Sequence, residues 1–252
     1  AYAAWEICDG KLLYRDIWDH KPPLIFLLQA GIFKIAGLKL AAVILFEIGW
    51  TSVTGLVFFK LLERFFCFRT AFWSALIFAV YFSSWEITGS FGMTETYSAA
   101  CVIAGMYALL GAKASESRIF LSGLFFSCAF LFRQTAVFAL PAAAAGLWLL
   151  WKQSGAHRNE LLKQLGMAIA GLALPLAMVG LYFTTKGALP DLLDQVFAYN
   201  FAYSQQTGFA TSAALLNGIF KMAFVSPLRD WPMLSVLALA GLAAAFSRNE
   251  KP

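Results

Sequence analysis

The chain has little charge. Of its 252 residues, 13% are Asp, Glu, Lys or Arg, about half of the roughly 25% usual in a soluble domain. Apolar residues make up 60%, and the mean hydropathy is +0.70. With 25 Phe and 8 Trp, a core of this size has no room to hide so much apolar surface. This excludes both a soluble globular domain and a disordered chain. Cysteine is also scarce. Cys8, Cys67, Cys101 and Cys128 form no C-x-x-C pair, so neither a disulfide framework nor a zinc site is indicated. Internal repeats are absent, and so are Asn-x-Ser/Thr acceptors. The net charge of +5 does not point to nucleic acid, because the basic residues lie between apolar segments, where topology explains them.

What is there is a series of apolar runs. A helical crossing needs about 20 apolar residues. Leu40–Phe59 qualifies, with Glu47 as its only charge, and Thr70–Trp85, Thr96–Ala112, Gln164–Thr185 and Trp231–Ser247 carry none. Ile119–Trp151 is 33 residues long, about 50 Å of helix, too long for one crossing. Arg133 divides it, and an Arg at mid-bilayer costs roughly 2.5–3.5 kcal/mol on insertion scales. Two short helices meeting near the far surface, with Arg133 at the turn, avoid that cost; the alternative is one long tilted helix.

The expected fold class is therefore all-α: a polytopic membrane protein with about seven crossings plus interfacial helices. It is read as a single transmembrane domain over 1–252. Residues 1–39 form an outer loop and interfacial helix, 40–185 six crossings, 186–230 an outer segment and 231–247 the last crossing. Pro22–Ala36 is too short to span and reads as a helix in the interface. Four segments then share one side: Lys60–Arg69, Lys113–Arg118, Lys152–Lys163 and the end of the chain. They hold ten of the 19 basic residues and four of the 14 acids, a net of +6; the remainder has a net of −1. The positive-inside rule places these segments in the cytoplasm. Short loops and the missing glycan acceptors favour a bacterial inner membrane. The sequence begins at Ala1 rather than Met, which suggests that a first helix precedes it.

Polar residues collect in three outward places: Gly10–Pro23 (GKLLYRDIWDHKPP), Trp85–Glu95, and Arg133-Gln134. Ionisable groups at a membrane edge are functional candidates, and one shared face lets the three build a single cavity. Asp16 and Asp19 are carboxylates fit for base or metal chemistry. Lys11, Arg15, Lys21 and Arg133 are cations fit for phosphate. Plainer readings stand beside these. The loop is also an ordinary solvated one with Tyr14 and Trp18 as interface anchors. Glu95 is also a favourable charge at a helix N-terminus. Glu86 reads as a surface acid, and Arg133 as a side chain reaching for headgroups. Glu47, inside a span, needs a partner that the sequence does not name.

The run Gly10–Pro23 resembles the first outer loop of the GT-C glycosyltransferases, in the family of the protein O-mannosyltransferases and the lipid A aminoarabinose transferase. Many bacterial members carry a G-x-x-x-Y-x-D-x-x-x-x-K-P-P run, and the spacing here matches throughout. The order of later features agrees, including an outward acid at Glu95 and a helix pair broken at Arg133. Asp194–Tyr203 (DQVFAYNFAY) is similar to an aromatic-Asn segment of bacterial members. The resemblance covers the family's N-terminal half.

It implies a transferase that moves a sugar from a polyprenyl-phosphate donor to a glycan, lipid or protein acceptor on the outer face, with inversion. Membrane lipids are partners; nucleic acid is not. It assigns Asp16 and Glu95 to catalysis, Lys21, Arg133 and His20 to the donor phosphate, and Tyr14, Asp19, Tyr199 and Asn200 to substrate binding. No metal ligands are assigned, though Asp16 and Glu95 are groups of the kind that hold a divalent cation, Mg or Mn. The family's Asp-Glu pair, whose Asp is the expected base, falls before Ala1. Two further readings remain: a lipid-linked sugar transporter or flippase, for which inverted repeats are lacking, and a non-catalytic remnant of the fold.

Overall fold

The computed structural model describes residues 2–82, 92–111, 115–155 and 157–206. The chain divides into two units, 1–196 and 197–252, and only 197–206 of the second are described. Among the described residues the structure is helical, with no strand beyond an isolated bridge between Leu13 and Ile17. The expected last crossing, 231–247, and Glu86 lie outside the described residues.

Helix α1 spans Tyr2–Cys8 and α2 spans Leu24–Ala36. Pro22-Pro23 suits the start of α2, because Pro lacks only a donor that a helix start leaves free. At 13 residues, about 20 Å, α2 is too short to span. It buries Ile25, Phe26, Gln29, Ala30 and Phe33 on one stripe, while Ile35 on the other face is 90% exposed. Gly37, at φ +77°, ends it. This is the geometry expected of an interfacial helix.

Helix α3, Leu40–Leu62, is apolar almost all round, yet buries only Val43, Glu47 and Thr54. Those three share one face, and the exposed Leu45, Ile48, Val53 and Leu56 suit lipid. Helix α4, Phe68–Phe82, packs back on α3 and buries Ala71 and Ala75. Helix α5, Thr94–Leu109, buries nine residues distributed around its circumference. It is shielded by protein rather than lipid, which explains how it carries Thr94, Glu95, Thr96 and Ser98.

Helix α6, Glu116–Phe132, ends at Arg133, which is extended at φ −155° and ψ 124°. A 3₁₀ turn over Gln134–Ala139 leads into α7, Leu140–Ser154. Ile119, early in α6, packs with Leu147, late in α7, and with Leu109 at the end of α5. The 119–151 stretch is therefore a helical hairpin folded at Arg133, as its length and its charge require. Helix α8, Arg158–Thr185, runs for 28 residues and contains Pro175. A short helix α9, Leu189–Leu193, a π turn, Asp194–Ala198, and helix α10, Tyr199–Gln206, follow.

Among the described residues, three segments are long and apolar enough to cross a membrane: Leu40–Leu62, Gln134–Ser154 and Arg158–Thr185. The other expected crossings within 40–185 fall on helices of 15, 16 and 17 described residues.

The bundle is tied by two glycines on facing helices. A Cβ on Gly123 of α6 would stand 2.2 Å from the Ala168 carbonyl oxygen, and one on Gly171 of α8 would stand 2.0 Å from that of Phe120. The two backbones touch at small residues, which is how helices associate where lipid removes the hydrophobic drive. Substituting Val at either glycine should lower stability by about 1–3 kcal/mol, read as a lower melting temperature in detergent. Gly166→Ala, where nothing lies within 4 Å, should not. Equal melting of all three variants would refute this crossing.

Candidate active site

The first outer loop is held from below. Tyr14 takes a left-handed backbone, φ +72°, uncommon for a residue with a side chain. That turns its ring inward against Phe183, 5.3 Å between centroids. Its hydroxyl donates to the Lys21 carbonyl at 2.8 Å. Burial, helped by the charge of Asp19, pushes the phenol far above its ordinary range, so it stays a neutral donor. The buried Gln195 amide donates to the Tyr14 carbonyl at 2.5 Å and accepts from the Asp19 N–H at 3.1 Å. The Gln134 amide donates to the carbonyls of His20 and Val196, at 3.2 and 3.1 Å. Arg15 donates to the Gly187 carbonyl.

Clamped in this way, the loop presents its acids and a lysine to an open cavity of about 560 Å³, within the range of small-ligand sites. Asp16, Asp19 and Lys21 line it, with Glu6 of α1, Lys11, Gln29 of α2, and Thr94 and Glu95 of α5. Asp16 Oδ2 accepts the Leu12 N–H at 2.7 Å, closing its own turn. Asp19 accepts the Lys21 N–H at 3.0 Å and lies 3.5 Å from Lys21 Nζ. Glu6 pairs with Lys11. That hydrogen bond holds the carboxyl below its usual range and raises the lysine above its own.

Glu95 stands in the first turn of α5, one residue before the apolar run. It pairs with Arg133 at the hairpin bend and accepts from the Thr94 hydroxyl at 2.9 Å. Partial burial alone would raise its pKa. The backbone at the helix start, Thr94 and Arg133 together outweigh that and hold the carboxyl below its ordinary value. Two of the three polar places in the sequence thus meet in an ion pair. Of the stretch Trp85–Glu95, only Gly92–Glu95 lies among the described residues.

The sequence candidates are not all in one position. Asp16, Asp19, Lys21 and Glu95 line the cavity. Arg133 stands behind Glu95. Tyr14 lies underneath as a pin, 2% exposed. His20 sits beside the Trp18 ring, with Nδ1 4.0 Å from Asp19. Tyr199 and Asn200 belong to the second unit, where Tyr199 stacks on Tyr203 one turn on. Glu47 finds its partner in the Gly92 N–H, at 2.6 Å, and so tethers the segment that leads to Glu95. Sequence reasoning passed over Glu6, Gln29 and Gln195 as site residues, and had Lys11 only as one of the loop's cations. Glu6 was visible as a polar neighbour of the loop, whereas Gln195 gave no signal.

A divalent cation finds no ready donor set. Among the described residues, no group of three His, Cys, Asp or Glu side chains converges, and Asp16, Asp19 and Glu95 each have other partners.

The family described as dolichyl-phosphate-mannose-protein mannosyltransferase matches residues 20–183. The chain belongs to this mannosyltransferase family. It is thereby placed among membrane glycosyltransferases of the GT-C type. The mannosyltransferase match takes in Lys21, Glu95, Arg133 and every helix from α2 to α7. It begins after Asp16 and Asp19 and ends before Tyr199. No curated protein and no solved structure matches the chain.

The depressed Glu95 pKa has a signed consequence for this mannosyltransferase-family chain. A carboxyl held lower in the folded state stabilises above its unfolded pKa, and loses that contribution as pH falls through the folded value. Arg133→Gln removes one of the groups that depress it. Acid unfolding of that variant should therefore begin at a higher pH than in the parent chain. The shift is small because the pair is well solvated. Coincident acid-unfolding curves would argue against the pair.

Proposed function

We propose that the chain carries the donor site of a transferase that moves a sugar from a polyprenyl phosphate to an acceptor on the outer face of a bacterial inner membrane. The observation that carries this reading is the cavity itself, where Asp16 and Glu95 share one wall system with Lys21 and Lys11. The cavity lies beside an interfacial helix, so a lipid tail stays in the bilayer while the sugar meets water. The loop charges favour the outward orientation.

In the proposed reaction the acceptor oxygen attacks the anomeric carbon from the face opposite the phosphate. The new C–O bond forms as the bond to the phosphate oxygen breaks, which inverts the centre. The bonding pair leaves with the lipid phosphate, and Lys21 stabilises the charge that develops there. The acceptor proton passes to a carboxylate. Asp16 suits this role: one oxygen is engaged by Leu12 N–H, and no ion pair occupies the other among the described residues. Glu95 is less basic while Arg133 holds it, which suits orienting a hydroxyl. Arg133 holds Glu95, and Asp19 keeps Lys21 in place.

The test is sugar release or transfer from a labelled polyprenyl-phosphate sugar by the purified chain in lipid. Asp16→Asn and Lys21→Ala should each slow it about 10²–10⁴-fold without changing the melting temperature much. Transfer at the parent rate by both variants would withdraw this site assignment.

A further inference from the structure

The end of the bundle away from the cavity carries a pair of cations that the proposed reaction does not use. Arg64 follows α3 by two residues, and Arg118 lies in the first turn of α6. Both reach the C-terminal end of α5. Arg64 Nη1 donates to the Tyr107 carbonyl at 2.5 Å, and Arg118 Nη2 donates to the same oxygen at 3.0 Å. Arg118 Nε also donates to the Ala108 carbonyl at 3.1 Å. The Arg64 guanidinium lies 3.7 Å from the centre of the Tyr107 ring, and that of Arg118 lies 6.0 Å from it.

Capping the helix accounts for part of this. Cations are favoured at a helix C-terminus, and an arginine over a tyrosine face is attracted by the ring. It does not account for the charge. Two guanidiniums that share one carbonyl oxygen stand only a few ångströms apart and repel. Both are half-buried, where water screens them poorly. Neither has a carboxylate partner among the described residues: Glu63 pairs with Lys60, and Glu116 with Lys163. Each guanidinium has five N–H donors, and the carbonyls take one from Arg64 and two from Arg118. This leaves N–H groups on both guanidiniums beyond those that the two carbonyls take.

We propose that this pair is a binding site for the phosphate of an anionic membrane lipid. The location selects the source. Helix α3 is long and apolar enough to span the bilayer, and Arg64 comes just after it ends, at the depth where headgroups lie. Arginine binds phosphate through paired N–H groups. Tyr107 fixes both guanidiniums, so little side-chain freedom is lost when the phosphate arrives. One bound headgroup would neutralise the repulsion and join α3, α5 and α6 at this end.

The test uses the full chain in detergent with added lipid, read by thermal melting and by native mass spectrometry of retained lipid. Phosphatidylglycerol should raise the melting temperature by several degrees more than phosphatidylcholine with the same tails. Glycerol phosphate alone should not reproduce this. Arg64→Gln/Arg118→Gln should lose most of the preference and retain less phosphatidylglycerol, while Arg158→Gln, a charge change elsewhere, should keep it. If the double variant folds poorly, Tyr107→Leu serves in its place: it leaves the carbonyl and the charges, and should weaken the preference several-fold. Equal preference in the parent and the variants would overturn the proposal. So would a full response to glycerol phosphate, which would make this a site for soluble phosphate, or a preference for phosphatidylcholine.

Discussion

The candidate site depends on a polar loop being held still at the edge of an apolar bundle. Two glutamine amides do most of the holding. Gln195 bridges the Tyr14 carbonyl and the Asp19 N–H, and Gln134 bridges the carbonyls of His20 and Val196. The bond to Tyr14 is buried, where an unpaired polar group costs about 1–3 kcal/mol. Tyr14 adds a ring beneath and a hydroxyl on Lys21. Because the backbone from 14 to 21 is tied at both ends, Asp16, Asp19 and Lys21 are held at the cavity wall.

The bundle supplies the anchors for that clamp. Close contact at Gly123 and Gly171 joins α6 to α8. This brings Phe132 at the top of α6, and Phe183 near the end of α8, into the cluster beneath Tyr14. The break at Arg133 serves the same end. It turns the chain before a charge would enter the bilayer, and places Gln134 under the loop and Arg133 against Glu95. A single bend thus satisfies a membrane constraint and completes one wall of the site. Glu47 contributes from within a span by accepting the Gly92 N–H, which fixes the approach to Glu95.

The electrostatics divide between the two ends of the molecule. At the cavity end Lys11, Arg15, Lys21 and Arg133 each have an acid or a backbone carbonyl close by, and the carboxylates lining the cavity outnumber the lysines. At the other end, Arg64 and Arg118 converge on one carbonyl, and neither pairs with an acid among the described residues. A polar cavity and a pair of arginines on a helix end are different solutions to the same problem of placing charge beside lipid. Membership in a family of membrane glycosyltransferases is the ground on which we propose a catalytic role for the cavity. The arginine pair is read from geometry alone.

Much of this was legible in the residues themselves. The apolar runs, the short helix after Pro22-Pro23 and the break at Arg133 follow from local composition and length, because hydropathy and helix rise act residue by residue. The Gly10–Pro23 spacing pointed to the family on the same local basis. What the tertiary structure decided were the partners. Gln195 reaches Tyr14 across 181 positions, and Glu47 reaches Gly92 across 45. No pattern in the chain announces such pairs. Tyr14 was an expected substrate contact, and packing against Phe183 made it a buried pin. Glu95 and Arg133 were separate candidates until the hairpin joined them. A hydrogen bond or an ion pair is set by distance in space, and only the packed helices determine which distant residues come within reach.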